Sequence, residues 1–138
     1  MTPRDTRTGG VLEAMILPAL RRGGYEYKEQ VHIGPRIGGG RHMVDAVAEK
    51  AGTKTLVSLK WQQVGGTAEQ KVPFEVICLS EAVRAGTYSK AYLVLGGEGW
   101  TLRNFYTSGG LNSHLKHASD VHILTLEGFV ARANQGNL

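Results

Sequence analysis

The chain has 138 residues, of which 41% are hydrophobic and 20% charged, a composition typical of a globular protein with one core. Its apolar stretches are shorter than the roughly 18 residues that a membrane-spanning helix needs. Residues 1–10 lack the apolar segment of a secretory signal, and a single cysteine, Cys78, excludes an intramolecular disulfide. We therefore expect one domain over residues 1–138, located in the cytoplasm and without a membrane partner.

The predicted elements follow from hydrophobic spacing between glycine pairs. Apolar residues recur at helical spacing between Gly10 and Gly23, and Pro18 predicts a kink there. Thr67 is expected to cap the second helix. The order is helix, three strands, helix, strand, helix, strand, helix, which predicts an α/β sandwich around a mixed sheet. In chain order the predictions are a helix over 10–23, strands over 25–33, 42–48 and 55–61, a helix over 68–85, a strand over 91–95, a helical region over 102–117, a strand over 121–125 and a helix over 128–134.

The second and third strands are expected to form an antiparallel hairpin, because a short polar turn separates them. If the turn centres between Ala51 and Gly52, Asp45 lies opposite Ser58. Lys60 then projects from the same sheet face as Ser58, with its Cβ roughly 7–8 Å from that of Asp45 along the diagonal. The hairpin is therefore predicted to bring one carboxylate and one lysine to a common point.

A carboxylate beside a lysine suits phosphodiester hydrolysis. The carboxylate would hold Mg²⁺, which takes few protein oxygens and keeps several waters, and the lysine would orient a water or neutralise developing charge. A second carboxylate is expected from the next helix, where Glu69 and Glu75 both border the apolar stripe. Glu13 on the first helix is a further candidate. Nucleotide cofactors are not expected, because the chain has neither a G-x-G-x-x-G nor a Walker lysine motif.

A net charge of +4 favours a polyanionic partner. Arg36, Arg41 and His42 flank the glycine-rich run at 38–40, so this loop either follows a phosphate backbone or is a solvated linker. Gln62 shares the face of Lys60 and either contacts substrate or ends the strand as a polar residue.

A helix bearing a carboxylate, a hairpin carrying Asp and then x-x-Lys, and a crossing helix together resemble the PD-(D/E)XK nuclease superfamily. The resemblance extends over 10–95 and implies a restriction-endonuclease-like three-layer α/β/α core with a central mixed sheet. It also implies that Asp45 binds metal, that Lys60 is catalytic, and that Glu13 is the helix-one acid of some branches.

Two positions depart from the family pattern. Val44 stands where the motif has Pro, and Ser58 stands where it has the second acid. Ser58-Leu59-Lys60 is similar to the Ser-x-Lys form of some restriction enzymes, in which the following helix supplies the missing glutamate. The resemblance therefore implies that Glu69 or Glu75 completes the metal site.

These observations lead to the hypothesis of a Mg²⁺-dependent endonuclease, with Mn²⁺ as a possible substitute, that hydrolyses phosphodiester bonds of duplex or branched DNA. Restriction-type and junction-specific cleavage both stay open. Because so small a domain contacts little DNA, cutting both strands implies a homodimer. The alternative hypothesis is a catalytically inactive nucleic-acid-binding or interaction module on the same fold.

Overall fold

The computed structural model describes residues 6–138. The expectation that the chain has no secretory signal rests in part on the residues before Thr6. These residues lie outside the described part. Within that part, none of the helices is long and apolar enough to cross a bilayer. The elements are α1 (Thr6–Val11), a π-helical turn (Leu12–Ile16), α2 (Leu17–Arg22), β1 (Glu26–Pro35), β2 (Arg41–Lys50), β3 (Thr53–Trp61), α3 (Ala68–Arg84), β4 (Lys90–Gly96), α4 (Arg103–Thr107), 3₁₀ turns (Gly110–Ser113 and Ala118–Asp120), β5 (Val121–Thr125) and α5 (Leu126–Asn134).

The described chain folds around one mixed sheet of five strands in the order β1-β2-β3-β4-β5. The pairs β1–β2 and β2–β3 are antiparallel, and the pairs β3–β4 and β4–β5 are parallel. Parallel neighbours need a crossover, which α3 and the α4 region provide. Every residue of β4 after Lys90 is buried, as expected of a parallel strand covered on both faces.

The predicted register of the hairpin is confirmed from the Ala46–Val57 pair to the Lys50–Thr53 pair, and the ladder of paired residues does not include the predicted Asp45–Ser58 pair. The tight turn is made by Ala51 and Gly52, whose φ angles are 52° and 80°. Two consecutive left-handed residues match the twist of the flanking strands. A turn centred between these two residues sets the register for the whole hairpin.

Helices cover both faces of the sheet and enclose two hydrophobic cores, which confirms the predicted three-layer α/β/α architecture. We call the sheet side packed against α3 the α3 face, and the side packed against α1, α2 and α5 the α5 face. The α3-face core includes Val44, Leu56, Val72, Val76, Leu79 and Leu93. The α5-face core includes Leu12, Ile16, Ala46, Val57, Tyr92 and Phe129.

The helix expected to kink at Pro18 is interrupted by a π-helical turn instead. Pro18 stands at the start of α2, where its missing N–H removes one hydrogen bond to the preceding turn. The N–H of Leu17 bonds to the carbonyl of Leu12, which widens the turn by one residue. The wider turn keeps Leu12 and Ile16 fully buried in the α5-face core.

Strand β2 changes its buried side at Asp45. Val44 packs in the α3-face core, whereas Ala46, two residues further, packs in the α5-face core. In an unbroken strand these two side chains would share a face. The β1 register places Gln30 beside this point, and its φ of 50° is unusual for a residue other than glycine. The side chains of β2 therefore alternate between the two sheet faces in opposite phase before and after Asp45.

Candidate active site

Asp45 is held in place by its neighbours on both adjacent strands. The backbone N–H of Leu59 donates to Asp45 Oδ2 at 2.7 Å, and the Gln30 side-chain amide donates to Oδ1 at 3.4 Å. A main-chain donor on a central strand is a fixed partner, so it orients the carboxylate with little loss of side-chain entropy. Asp45 is therefore presented at a defined position beside β3.

Glu75 of α3 reaches over the sheet to the same region. Its Oε2 accepts a hydrogen bond from Ser58 Oγ at 3.2 Å and lies 3.4 Å from Lys60 Nζ. Its Oε1 lies 2.7 Å from His42 Nε2, a charge-assisted length. Three side chains from β2 and β3 thus converge on one carboxylate that comes from the helix.

The two carboxylates differ electrostatically. Burial is the main influence on Asp45 and raises its pKa above the ordinary 3.8, although the Leu59 N–H and the Lys60 charge oppose the rise. Burial also favours a raised pKa for Glu75, but the His42 hydrogen bond and the Lys60 ammonium together outweigh it and lower that pKa. The neighbours of Asp45 therefore do not fully stabilise its charged form, whereas the partners of Glu75 do stabilise its ionised form.

The donor set fits a hydrated Mg²⁺ ion. Among residues 6–138 there is no group of three or more His, Cys, Asp or Glu side chains arranged to hold a metal. Mg²⁺ does not require one, because it binds through one or two carboxylates and keeps several waters. Asp45 and Glu75 supply such oxygens, and the Glu75 charge adds to the rise in the pKa of Asp45. A cation near Asp45 would relieve both its burial and this repulsion.

Glu69, the alternative predicted ligand, is turned away from this cluster. Its carboxylate accepts hydrogen bonds from the backbone N–H groups of Thr101 and Leu102, just before α4. Its own carbonyl accepts from Tyr106 Oη at 2.7 Å. Glu69 thus ties the first turn of α3 to the start of α4, and of the two candidate glutamates it is Glu75 that the fold brings to Ser58 and Lys60.

Gln62 and His42, the two other candidates for contact with nucleic acid, are both buried. Gln62 is 5% exposed; its Oε1 accepts from the N–H of Ala68 and its Nε2 donates to the carbonyl of Gly99. It caps α3 in place of Thr67, whose side chain makes no capping hydrogen bond. His42 is 3% exposed, so it faces Glu75 rather than a ligand in solvent.

Arg36 in the β1–β2 loop and Arg41 at the start of β2 are both exposed. The Arg36 guanidinium donates through Nε and Nη2 to the carbonyl of Arg41, and this fork closes the loop. Glu13 is exposed on the π-helical turn. Arg36, Arg41 and Glu13 are thus all at the surface.

Sequence reasoning missed His42 and Gln30 as contributors to the site. His42 stands two residues before Val44, so strand periodicity placed it on the buried side. A buried imidazole needs a hydrogen-bond partner, and that requirement was the available signal. The role of Gln30 had no comparable signal, because it depends on the local break in β1 and β2.

Comparisons with known proteins give a matching family model and a solved structure of similar fold. The family model of the PD-(D/E)XK nuclease superfamily domain matches residues 4–137, and no curated protein matches the chain. A solved structure titled "Crystal Structure of Protein of Unknown Function AF1548" is similar, with a TM-score of 0.50 and 12% sequence identity. The match covers 80% of this chain and 54% of that one, so this chain spans about half the length of that protein. At this identity the likeness shows a shared fold.

Proposed function

The chain belongs to the PD-(D/E)XK nuclease superfamily, and on that premise we propose that it is a metal-dependent endonuclease that hydrolyses DNA phosphodiester bonds. The observation that carries this proposal is the position of Glu75. Its carboxylate contacts both Ser58 and Lys60, so a helix supplies the acid that the Ser-x-Lys tripeptide lacks. Loss of the second acid from β3 is thereby compensated within the same site.

Asp45 and Glu75 would hold the metal ion. When bound, Mg²⁺ polarises a phosphate oxygen and lowers the pKa of a coordinated water. The Leu59 N–H keeps the Asp45 carboxylate fixed, and the Ser58 hydroxyl donates a hydrogen bond to Glu75. Such pre-positioning removes reorganisation from the chemical step.

Lys60 acts at the reacting phosphate. Its side chain is 29% exposed, compared with 12% for Glu75, so the ammonium is the part of the cluster that a substrate approaches. It donates hydrogen bonds to the attacking water or to a non-bridging oxygen, where negative charge develops. The attacking oxygen bonds to phosphorus while the bond to the leaving oxygen breaks, and the ammonium stabilises this rearrangement.

The expected substrate is duplex or branched DNA. The net charge of +4 and the exposed Arg36 and Arg41 favour a polyanion. Cleavage of both strands by a domain of this size would require a homodimer with one site for each strand.

A plasmid-nicking assay with Mg²⁺, and with Mn²⁺ in parallel, tests this function. Conversion of supercoiled to open-circular DNA is expected from the parent protein and not from Asp45→Asn or Glu75→Gln. Equal cleavage by parent and both variants would show that the activity does not come from this site. Failure of the parent to cut duplex, junction and single-stranded DNA, together with retained DNA binding, would favour a non-catalytic binding module.

A further inference from the structure

The buried imidazole beside the proposed metal site has no part in the chemistry described above. We propose that His42 is a positioning residue, which fixes the plane of the Glu75 carboxylate so that it can bind metal together with Asp45. This inference rests on the proposed function, because Glu75 is a metal ligand within that proposal. His42 itself would touch neither metal nor DNA.

The two oxygens of Glu75 have different partners. Ser58 and Lys60 both meet Oε2, whereas His42 meets Oε1 at 2.7 Å. The last torsion of a glutamate side chain is a broad, weakly restricted rotation. Contacts at Oε2 leave the carboxylate free to turn about that atom, so a partner at Oε1 is what defines its plane.

His42 is suited to this task by its surroundings. It is 3% exposed on the side of β2 that packs towards α3, where Val44 is its neighbour in the strand. An aliphatic residue there would be less costly to bury, because a buried polar ring is unfavourable unless it is hydrogen-bonded. The histidine side chain has only two rotatable bonds. Its ring is therefore positioned by β2, and the hydrogen bond from the ring positions the Glu75 carboxylate.

Strand β2 therefore helps to position both carboxylates, those of Asp45 and Glu75. It carries Asp45 directly, and through His42 it holds the carboxylate that α3 contributes. The position of the Glu75 carboxylate relative to Asp45 is then set from β2 as well as from α3. Residues that orient metal ligands typically change metal affinity by about 10- to 100-fold when they are removed.

Metal affinity without DNA is the direct test. We would measure Mn²⁺ binding by isothermal titration calorimetry for the parent, His42→Leu and His42→Gln. Leucine fills the space without a donor, and the glutamine amide nitrogen can replace Nε2. Ser80→Ala is the matched control, because Ser80 is a buried polar residue of α3 that bonds to the carbonyl of Ile77.

The dissociation constant for Mn²⁺ is expected to rise at least about tenfold in His42→Leu. It is expected to stay close to the parent value in His42→Gln and in Ser80→Ala. In cleavage assays the metal concentration for half-maximal rate should rise in His42→Leu, while kcat at saturating Mn²⁺ stays within about threefold of the parent. Circular dichroism would establish that each variant is folded. If His42→Leu does not fold, His42→Met takes its place.

Parent-like affinity in a folded His42→Leu or His42→Met protein would overturn the inference. Equal weakening in His42→Gln and the apolar variant would also overturn it, because the hydrogen bond would then not be the cause. A parent that binds Mn²⁺ but cuts no DNA would defeat the nuclease proposal, while the affinities would still decide the role of His42. A parent that binds no Mn²⁺ would defeat both.

Discussion

Lys60 Nζ lies 3.4 Å from Oε2 of Glu75, which links the ammonium of β3 to the carboxylate of α3. The same oxygen accepts a hydrogen bond from Ser58, so the serine and the lysine of the Ser58-Leu59-Lys60 tripeptide meet at one carboxylate oxygen. Because the pair is largely enclosed, its interaction is screened less than that of a surface ion pair. Removing either charge should therefore affect both function and stability.

Substitution of Lys60 by Met should reduce the rate of plasmid cleavage by about 10²- to 10³-fold, the usual loss when a group that stabilises developing charge is removed. Lys54→Ala is the control, since Lys54 is an exposed lysine of the same strand. It should leave the rate within about twofold. Comparable losses in both variants would show that overall charge, and not the position of Lys60, drives the effect.

Glu75→Gln should destabilise the protein at neutral pH and much less at acidic pH. The pKa of Glu75 is held below the ordinary 4.5, so its ionised form contributes stability that is present above pH 4.5 and is lost as pH falls through the folded pKa. We expect the free energy of unfolding to drop by about 1–2 kcal/mol at pH 7. Urea unfolding at pH 7 and pH 3 measures this; a constant difference between the two pH values would contradict it.

Asp45→Asn should change the free energy of unfolding in the opposite direction and stabilise the protein at pH 7. Burial raises the pKa of Asp45 above 3.8 in the folded state. The contribution of Asp45 to stability is therefore greatest below pH 3.8 and falls as pH rises through the folded pKa. Asparagine removes that penalty at pH 7 and can still accept from the Leu59 N–H. Without metal the melting temperature should rise by roughly 3–5 °C, as about 1 kcal/mol gives a domain of this size.

Added Mg²⁺ supplies the second arm of that experiment. The ion should stabilise the parent, because a ligand that binds the folded state raises the unfolding free energy, and it should not stabilise Asp45→Asn. Calorimetric melting with EDTA and with Mg²⁺ measures both arms. A lower melting temperature for Asp45→Asn in EDTA would show that the carboxylate stabilises the fold.

Glu69→Gln should affect stability more than catalysis. The Glu69 carboxylate accepts hydrogen bonds from the N–H groups of Thr101 and Leu102, and losing such a capping interaction typically costs about 1 kcal/mol. Cleavage should stay within about threefold of the parent. Loss of activity in Glu69→Gln, with activity retained in Glu75→Gln, would reverse the assignment of the second acid.

Arg41→Ala should weaken DNA binding in a salt-dependent way. If Arg41 contacts one phosphate, the slope of log K against log salt concentration should fall by about 1. Gln62→Ala is the comparison, because Gln62 is buried and caps α3. That variant should be less stable yet keep the parent slope, and fluorescence anisotropy over a range of salt concentrations would measure both. An unchanged slope for Arg41→Ala would contradict a phosphate contact.

Local sequence patterns were sufficient for much of the fold. Period-two and helical spacings identified the strands and helices, because these periodicities reflect which side chains are buried. The hairpin register followed from a polar turn centred between Ala51 and Gly52, and Ala46 indeed pairs with Val57. Asp45 and Lys60 could be singled out for the same reason, since a hairpin fixes cross-strand neighbours from the position of its turn.

The tertiary structure decided what lies between elements distant in sequence. Glu69 and Glu75 both border the apolar stripe of α3, and the docking of that helix determines that Glu75 meets Lys60 while Glu69 meets Leu102. Periodicity marks His42 as buried but does not identify Glu75 as its partner. A sequence determines which residues are withdrawn from water; which polar groups then satisfy one another depends on how helix and sheet pack, because hydrogen bonds act over about 3 Å.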